Sequence, residues 1–129
     1  KYRADGTLVG LAYDGKIWLL RDTNGDGIED QADLFWDNAS ALQSPIGMDV
    51  TPPGYPRGNG VFVNGKSRCV LILDKDGDDK ADVRRIILHG FGTEDSHHSI
   101  HTHQWGPDGA LYILGDMGAS WGVFRIGRP

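Results

Sequence analysis

A chain of 129 residues with 39% hydrophobic content carries enough apolar material for one core of ordinary size, so one domain, or part of one, is expected. Its formal charge of −5 argues against nucleic acid as a partner, which calls for a basic face, and no apolar run is long enough to span a membrane. The single cysteine, Cys69, can form no internal disulfide and gives no vote on redox compartment.

The chain opens at Lys1-Tyr-Arg without a signal peptide, as a mature, processed or excised segment would. Segments 7–13 and 16–20 read as a strand pair joined by Asp14-Gly15, a pair of residues that predicts a type I′ turn. The acidic stretch Asp22-Thr-Asn-Gly-Asp-Gly-Ile-Glu-Asp30 follows, and 32–36 is the next strand. A linker leads to a strand over 46–50, and 51–60 is so dense in Pro and Gly that it must be a surface loop. Strands over 60–64 and 67–73 then repeat the opening hairpin, Asp74-Lys-Asp-Gly-Asp-Asp-Lys-Ala-Asp82 repeats the acidic stretch, and 83–88 closes the unit. Strands over 101–105, 110–113 and 121–126 bring the number to ten, and no stretch shows helical periodicity.

The two acidic stretches place oxygen-bearing side chains at positions 1, 3, 5 and 9. Ca²⁺ takes six to eight hard oxygen ligands at about 2.3–2.6 Å, and alternate residues of a tight loop can turn carboxylates inward while a backbone carbonyl fills the gap. Asp22, Asn24, Asp26 and Asp30 form the first candidate set, with the Ile28 carbonyl at position 7. Asp74, Asp76, Asp78 and Asp82 form the second, with the carbonyl of Lys80. An EF-hand loop needs an acid at position 12, where the first stretch has Asp33 but the second has Arg85, so the nine-residue pattern alone fits both. A single acidic loop is more often a solvated turn; two copies in register favour two Ca²⁺ sites, which would bring the formal charge from −5 to −1. Calcium loops of millimolar affinity fill outside the cytosol, which predicts a secreted or periplasmic protein.

Asp74 lies 52 residues after Asp22, and Cys69 lies 52 after Ile17, a spacing close to that of propeller blades. The expected fold is all-β: a β-propeller segment of about two and a half four-stranded blades with calcium-binding hairpin loops. Residues 1–37 form an incomplete blade, 46–88 a complete one and 101–129 another incomplete one, so other blades or copies of the chain are expected as partners that complete the ring. The nine-residue pattern resembles the β-hairpin calcium loops of integrin-type propellers and of several bacterial propeller families.

His97-His-Ser-Ile-His-Thr-His103 packs four imidazoles into seven residues before Gln104-Trp-Gly-Pro-Asp-Gly109. Alternation along a strand puts His101, His103 and Trp105 on one face. Three readings compete: hydrogen-bonded or surface histidines, a general base in a cofactor or substrate cleft, and a transition-metal site. The stretch from His98 through Gly-Pro-Asp-Gly to Leu111-Tyr-Ile-Leu-Gly-Asp116 resembles a blade of the soluble pyrroloquinoline-quinone-dependent sugar dehydrogenases, the glucose/sorbosone propellers. That resemblance implies pyrroloquinoline quinone as cofactor, a sugar or alcohol substrate, His98 as catalytic base and Asp116 as the acid that assists it. No role for His97, His101 or His103 follows from it.

The acidic hairpins, Val-Arg-Arg, Gly-Phe-Gly-Thr-Glu-Asp-Ser-His-His and Trp-Gly-Pro-Asp-Gly-Ala-Leu-Tyr together are similar to the large secreted propeller proteins of planctomycete-like bacteria often labelled membrane-bound dehydrogenases. Those proteins frequently carry haem c, but no Cys-x-x-Cys-His occurs here. Trp18, Trp36, Trp105 and Trp121 read as packing between sheets, Arg84-Arg85 as a solvated edge, and 90–96 as a glycine-bearing loop without phosphate-loop spacing. Two functions are therefore weighed: part of a quinone-dependent sugar or alcohol dehydrogenase, and a non-catalytic propeller for binding or assembly whose calcium loops rigidify hairpins.

Overall fold

The computed structural model describes residues 1–37, 45–65, 68–89, 102–116 and 121–126, and for 102, 114–116, 121–124 and 126 it describes the backbone. The described residues contain ten strands and no helix: β1 (Leu8–Leu11), β2 (Ile17–Arg21), β3 (Gln31–Trp36), β4 (Pro45–Val50), β5 (Asn59–Gly65), β6 (Arg68–Asp74), β7 (Val83–Leu88), β8 (Thr102–Trp105), β9 (Leu111–Asp116) and β10 (Trp121–Ile126). They pair antiparallel in chain order as three sheets, β1-β2-β3, β4-β5-β6-β7 and β8-β9-β10. The all-β expectation holds, strand by strand, to within a few residues at each end.

The inner strands of the middle sheet have no face left for water. They read Val61-Phe-Val-Asn64 and Cys69-Val-Leu-Ile-Leu73, and every one of these residues is buried. Side chains alternate across a strand, so Val61, Val63, Val70 and Ile72 meet Val9, Ile17, Leu19 and Phe35 of the first sheet. Phe62, Cys69, Leu71 and Leu73 meet Leu111 and Ile113 of the third. Phe62 is fully buried and stands edge-on to the rings of Trp105, at 5.7 Å, and Tyr55, at 6.4 Å. Trp105 also donates its indole N–H to the carbonyl of Val50, 2.9 Å away, tying β8 to β4.

Two details depart from expectation or go beyond it. The β1–β2 turn is not type I′, because of its two central residues only Gly15, at 91°, has positive φ. Instead Gly15 N–H donates to Ala12 O and Ala12 N–H to Lys16 O, while the Asp14 carboxylate accepts the Lys16 amide at 3.0 Å and so stays at negative φ. This is a type I turn closed by a left-handed glycine, and Arg3 to Thr7 and Gly106 to Ala110 repeat its bonds. The second detail is a bulge in each strand that follows an acidic loop, β3 and β7. Phe35 is the extra residue opposite Ile17 and Trp18, and Ile87, 52 residues on, is the extra residue opposite Cys69 and Val70.

Phe62 carries much of the packing between the second and third sheets. Phe62→Ala is expected to cost about 3–5 kcal/mol, read as a fall in denaturant midpoint at unchanged slope. A loss below about 1 kcal/mol would mean that the third sheet does not pack there in solution.

Candidate metal loops and a buried histidine

Both acidic stretches are tips of hairpins between an inner and an outer strand, 22–30 between β2 and β3 and 74–82 between β6 and β7. They are folded alike and share six hydrogen bonds, while the first adds bonds from the Asn24 amide to Asp22 and from the Thr23 hydroxyl to Asp30. Asp22 gathers the amides of Gly25 and Gly27, each at 2.7 Å, and Asp74 gathers those of Gly77 at 2.7 Å and Asp79 at 2.8 Å. Asn24 Oδ1 accepts the Asp26 amide as Asp76 accepts that of Asp78. Asp26 accepts the Ile28 amide at 2.9 Å, and Asp78 accepts that of Lys80 at 2.9 Å. Asp30 closes the first loop on the Thr23 amide and Asp82 the second on that of Lys75, both at 3.0 Å. Backbone bonds from Asp30 to Arg21 and from Asp82 to Leu73 complete the match. All ten predicted loop residues therefore stand in equivalent places.

In the second loop, Asp74, Asp76 and Asp78 each offer a carboxylate oxygen within 4.8 Å of the others, close enough to share one metal ion. The donors are all oxygen, the chemistry a hard cation takes. The charges oppose one another. The Asp76 carboxyl accepts the Asp78 amide, which pulls its pKa down, but contacts with the Asp78 and Asp74 carboxyls and the Asp78 charge hold it above the ordinary carboxylate value. Asp22 faces less repulsion, since Asn24 replaces one acid, and the Gly27 amide foremost keeps its pKa low. The twelve-residue alternative fails on structure: Asp33 lies on β3 and is held by Arg21 at 2.8 Å, and Arg85 lies on β7.

The sixth position is where the loops part. It is Gly27 in the first and Asp79 in the second, both with positive φ, 87° and 62°. Asp is among the few residues that tolerate this backbone. Its carboxylate reaches out of the loop to the first sheet, accepting from Arg21 at 2.6 Å and from Arg3 at 3.2 Å. Two residues on, the Ala81 amide donates to the carbonyl of the bulged Phe35 at 2.8 Å, and Ala81 packs on the first core. The second loop is thus docked on the preceding sheet. Replacement of Gly27 by Asp79 at one register position was the available sequence signal for it.

Of the histidines, His97, His98 and His101 lie outside the described residues. Asp116 ends β9 with its backbone alone described, so the expected catalytic pair of His98 and Asp116 lies outside the described side chains. His103 is buried, with Nε2 at 3.3 Å from Cys69 Sγ. Burial pushes the Cys69 thiol up to about 12 and the His103 imidazole down to about 4, the latter helped by the charge on Lys1. At neutral pH the pair is a thiol against an uncharged imidazole, unsuited to nucleophilic chemistry. Asn64, paired across from Cys69, is fully buried, and neither its amide atoms nor His103 Nδ1 has a hydrogen-bond partner among the described residues.

The chain matches, over residues 2–125, the model of a family described as a domain of unknown function, DUF7133. No curated protein and no solved structure matches it.

The buried imidazole sets a pH dependence. Unfolded, His103 takes a proton near its ordinary 6.5; folded, it stays neutral down to about 4. Between these values the unfolded chain binds the extra proton, so stability should fall as pH drops through the window, by about 1.4 kcal/mol per pH unit. Denaturant midpoints across it, in chelator, should show this slope in wild type and a shallower one in His103→Gln. Equal slopes would mean that His103 is not buried neutral.

Proposed function

The chain belongs to the DUF7133 family, and on that footing we propose that it is a calcium-stabilised segment of a β-propeller, with one Ca²⁺ in each hairpin loop. The observation that carries this is the set of hydrogen bonds shared by the loops at 22–30 and 74–82, with acids or an amide at positions 1, 3, 5 and 9 of both. Asp22, Asn24, Asp26 and Asp30 would hold the first ion, and Asp74, Asp76, Asp78 and Asp82 the second, with the carbonyls of Ile28 and Lys80. The role of the metal is structural: it removes the repulsion among carboxylates crowded at a tip and rigidifies the hairpin. Three stacked meanders of three, four and three strands with a 52-residue repeat support the propeller, read as one complete blade between two incomplete ones. Loops of this kind fill where calcium is plentiful, which favours a secreted or periplasmic protein.

A second reading, a quinone-dependent sugar or alcohol dehydrogenase, rests on the sequence resemblance through His98 and Asp116. It is tested by adding pyrroloquinoline quinone and following absorbance. Binding, with dye-linked oxidation that His98→Ala lowers by about 10²–10⁴-fold, supports it. An unchanged spectrum without oxidation leaves the non-catalytic propeller.

Calcium titration by calorimetry should find two sites in wild type and one in either Asp22→Ala or Asp74→Ala. At a hundredfold excess over Kd, each site should stabilise by about 2.7 kcal/mol, seen as a higher melting temperature that chelator reverses. No bound metal and an identical melt in chelator would refute the proposal.

A further inference from the structure

The open cleft beside β7, about 840 Å³ and lined by Tyr55, Arg57, Leu73, Lys75, Val83 and Arg85, is the repeat of a surface already occupied elsewhere in the molecule. Subtracting the 52-residue period gives Arg3, Asp5, Arg21, Thr23, Gln31 and Asp33 of the first sheet. Arg3 and Arg21 hold Asp79 at the tip of the second loop, while Asp5 and Asp33 each pair with one of those arginines. The scaffolds correspond as well as the numbers. Gly58 N–H donates to Tyr55 O as Gly6 N–H donates to Arg3 O, and both glycines have positive φ. The bulge at Phe35, whose carbonyl receives the Ala81 amide, recurs at Ile87.

We propose that this cleft is a docking cradle for a second acidic hairpin tip, an aspartate-bearing peptide loop that seats on the middle sheet as the loop at 74–82 seats on the first. Charge selects the occupant. In the first cradle the charges of two arginines are balanced by Asp5 and Asp33, and both arginines still take one further carboxylate, Asp79. In the second, Arg57 and Arg85 stand at the places of those two acids, Lys75 replaces Thr23, and none of the three cations has an ion-pair partner among the described residues. A chain of formal charge −5 that gathers three cations and, among the described lining residues, no acid around one cleft calls for a tip with more than one carboxylate. Tyr55 and Val83, both half-buried, give the second cradle an apolar wall where the first has Arg3 and Gln31. The pair Arg84-Arg85 is thus not merely a solvated edge, since Arg85 lines a site. The inference stands whether or not the loops bind calcium.

The test is calorimetric titration of the whole chain, in calcium-free buffer of low ionic strength, with a cyclised hairpin peptide whose turn reads Asp-Gly-Asp-Asp, as at 76–79. One site is expected, weakening as salt rises. The double variant Arg57→Glu/Arg85→Glu should lose about tenfold or more in affinity, Arg57→Lys/Arg85→Lys should keep most of it, and Lys16→Glu on the first sheet should change nothing. The lysine variant and circular dichroism separate loss of charge from loss of fold. Absence of peptide binding overturns the proposal, as does binding that the glutamate variant leaves unchanged. Binding of inorganic phosphate or of a polyuronate at the cleft, with the peptide inert, overturns it in favour of a small-anion or glycan site.

Discussion

A β-strand has two faces, and in β5 and β6 both are apolar. Such a sheet cannot exist at a surface, because each face left wet forfeits roughly 25 cal/mol for every Å² of apolar area that packing would have removed from water. The arrangement of the chain follows from this. The first and third sheets cover the middle one from opposite sides, valines and isoleucine turning one way, phenylalanine and leucines the other. The outer strand β7 keeps charged and exposed residues, Arg84 and Arg85, where pairing ends. Inside the second interface, Asn64, Cys69 and His103 place polar atoms in the same layer as Phe62, a costly choice where three of them find no partner among the described residues.

The hairpin tips divide their acids between two tasks. Asp74 and its neighbours turn inward and collect amides, while Asp79 alone turns outward to Arg3 and Arg21. Exposed or half-exposed ion pairs are worth little each, about 0–1 kcal/mol. The clasp therefore contributes less through its energy than through direction. It fixes which part of the loop meets which part of the first sheet, and the Ala81 to Phe35 backbone bond together with the burial of Ala81 holds the contact. Since the Asp79 amide also binds Asp74, the residue that anchors the tip outward is wired to the carboxylate at the loop's centre.

Much of this architecture was legible in the sequence because it depends on local pattern. Runs such as Cys69-Val-Leu-Ile-Leu73 announce a strand buried on both faces, and two copies of an acidic nonapeptide announce both the repeat and the loop geometry. Less legible were features set by a partner distant in the chain. The turn at Asp14-Gly15 departs from type I′ because the Asp14 carboxylate caps Lys16, and dipeptide identity does not reveal which residue takes positive φ. The Arg3–Asp79–Arg21 clasp joins residues more than fifty apart, and Arg57 and Arg85 acquire meaning only once Asp5 and Asp33 are seen in the same places. The burial of His103 against Cys69 depends on the third sheet folding over the second, which no window of sequence contains.

The bulge at Phe35 turns a sheet contact into a frame shift between chain and structure. By covalent order the loop at 74–82 belongs to the middle sheet; by its bonds to Phe35, Arg3 and Arg21 it belongs to the first. The contacts of this tip therefore cross the boundary of the 52-residue unit that repeats, running from the first sheet to the next hairpin. A cut at the sequence repeat would sever the Ala81 to Phe35 bond and both arginine contacts of Asp79, leaving the first sheet without the tip that closes it.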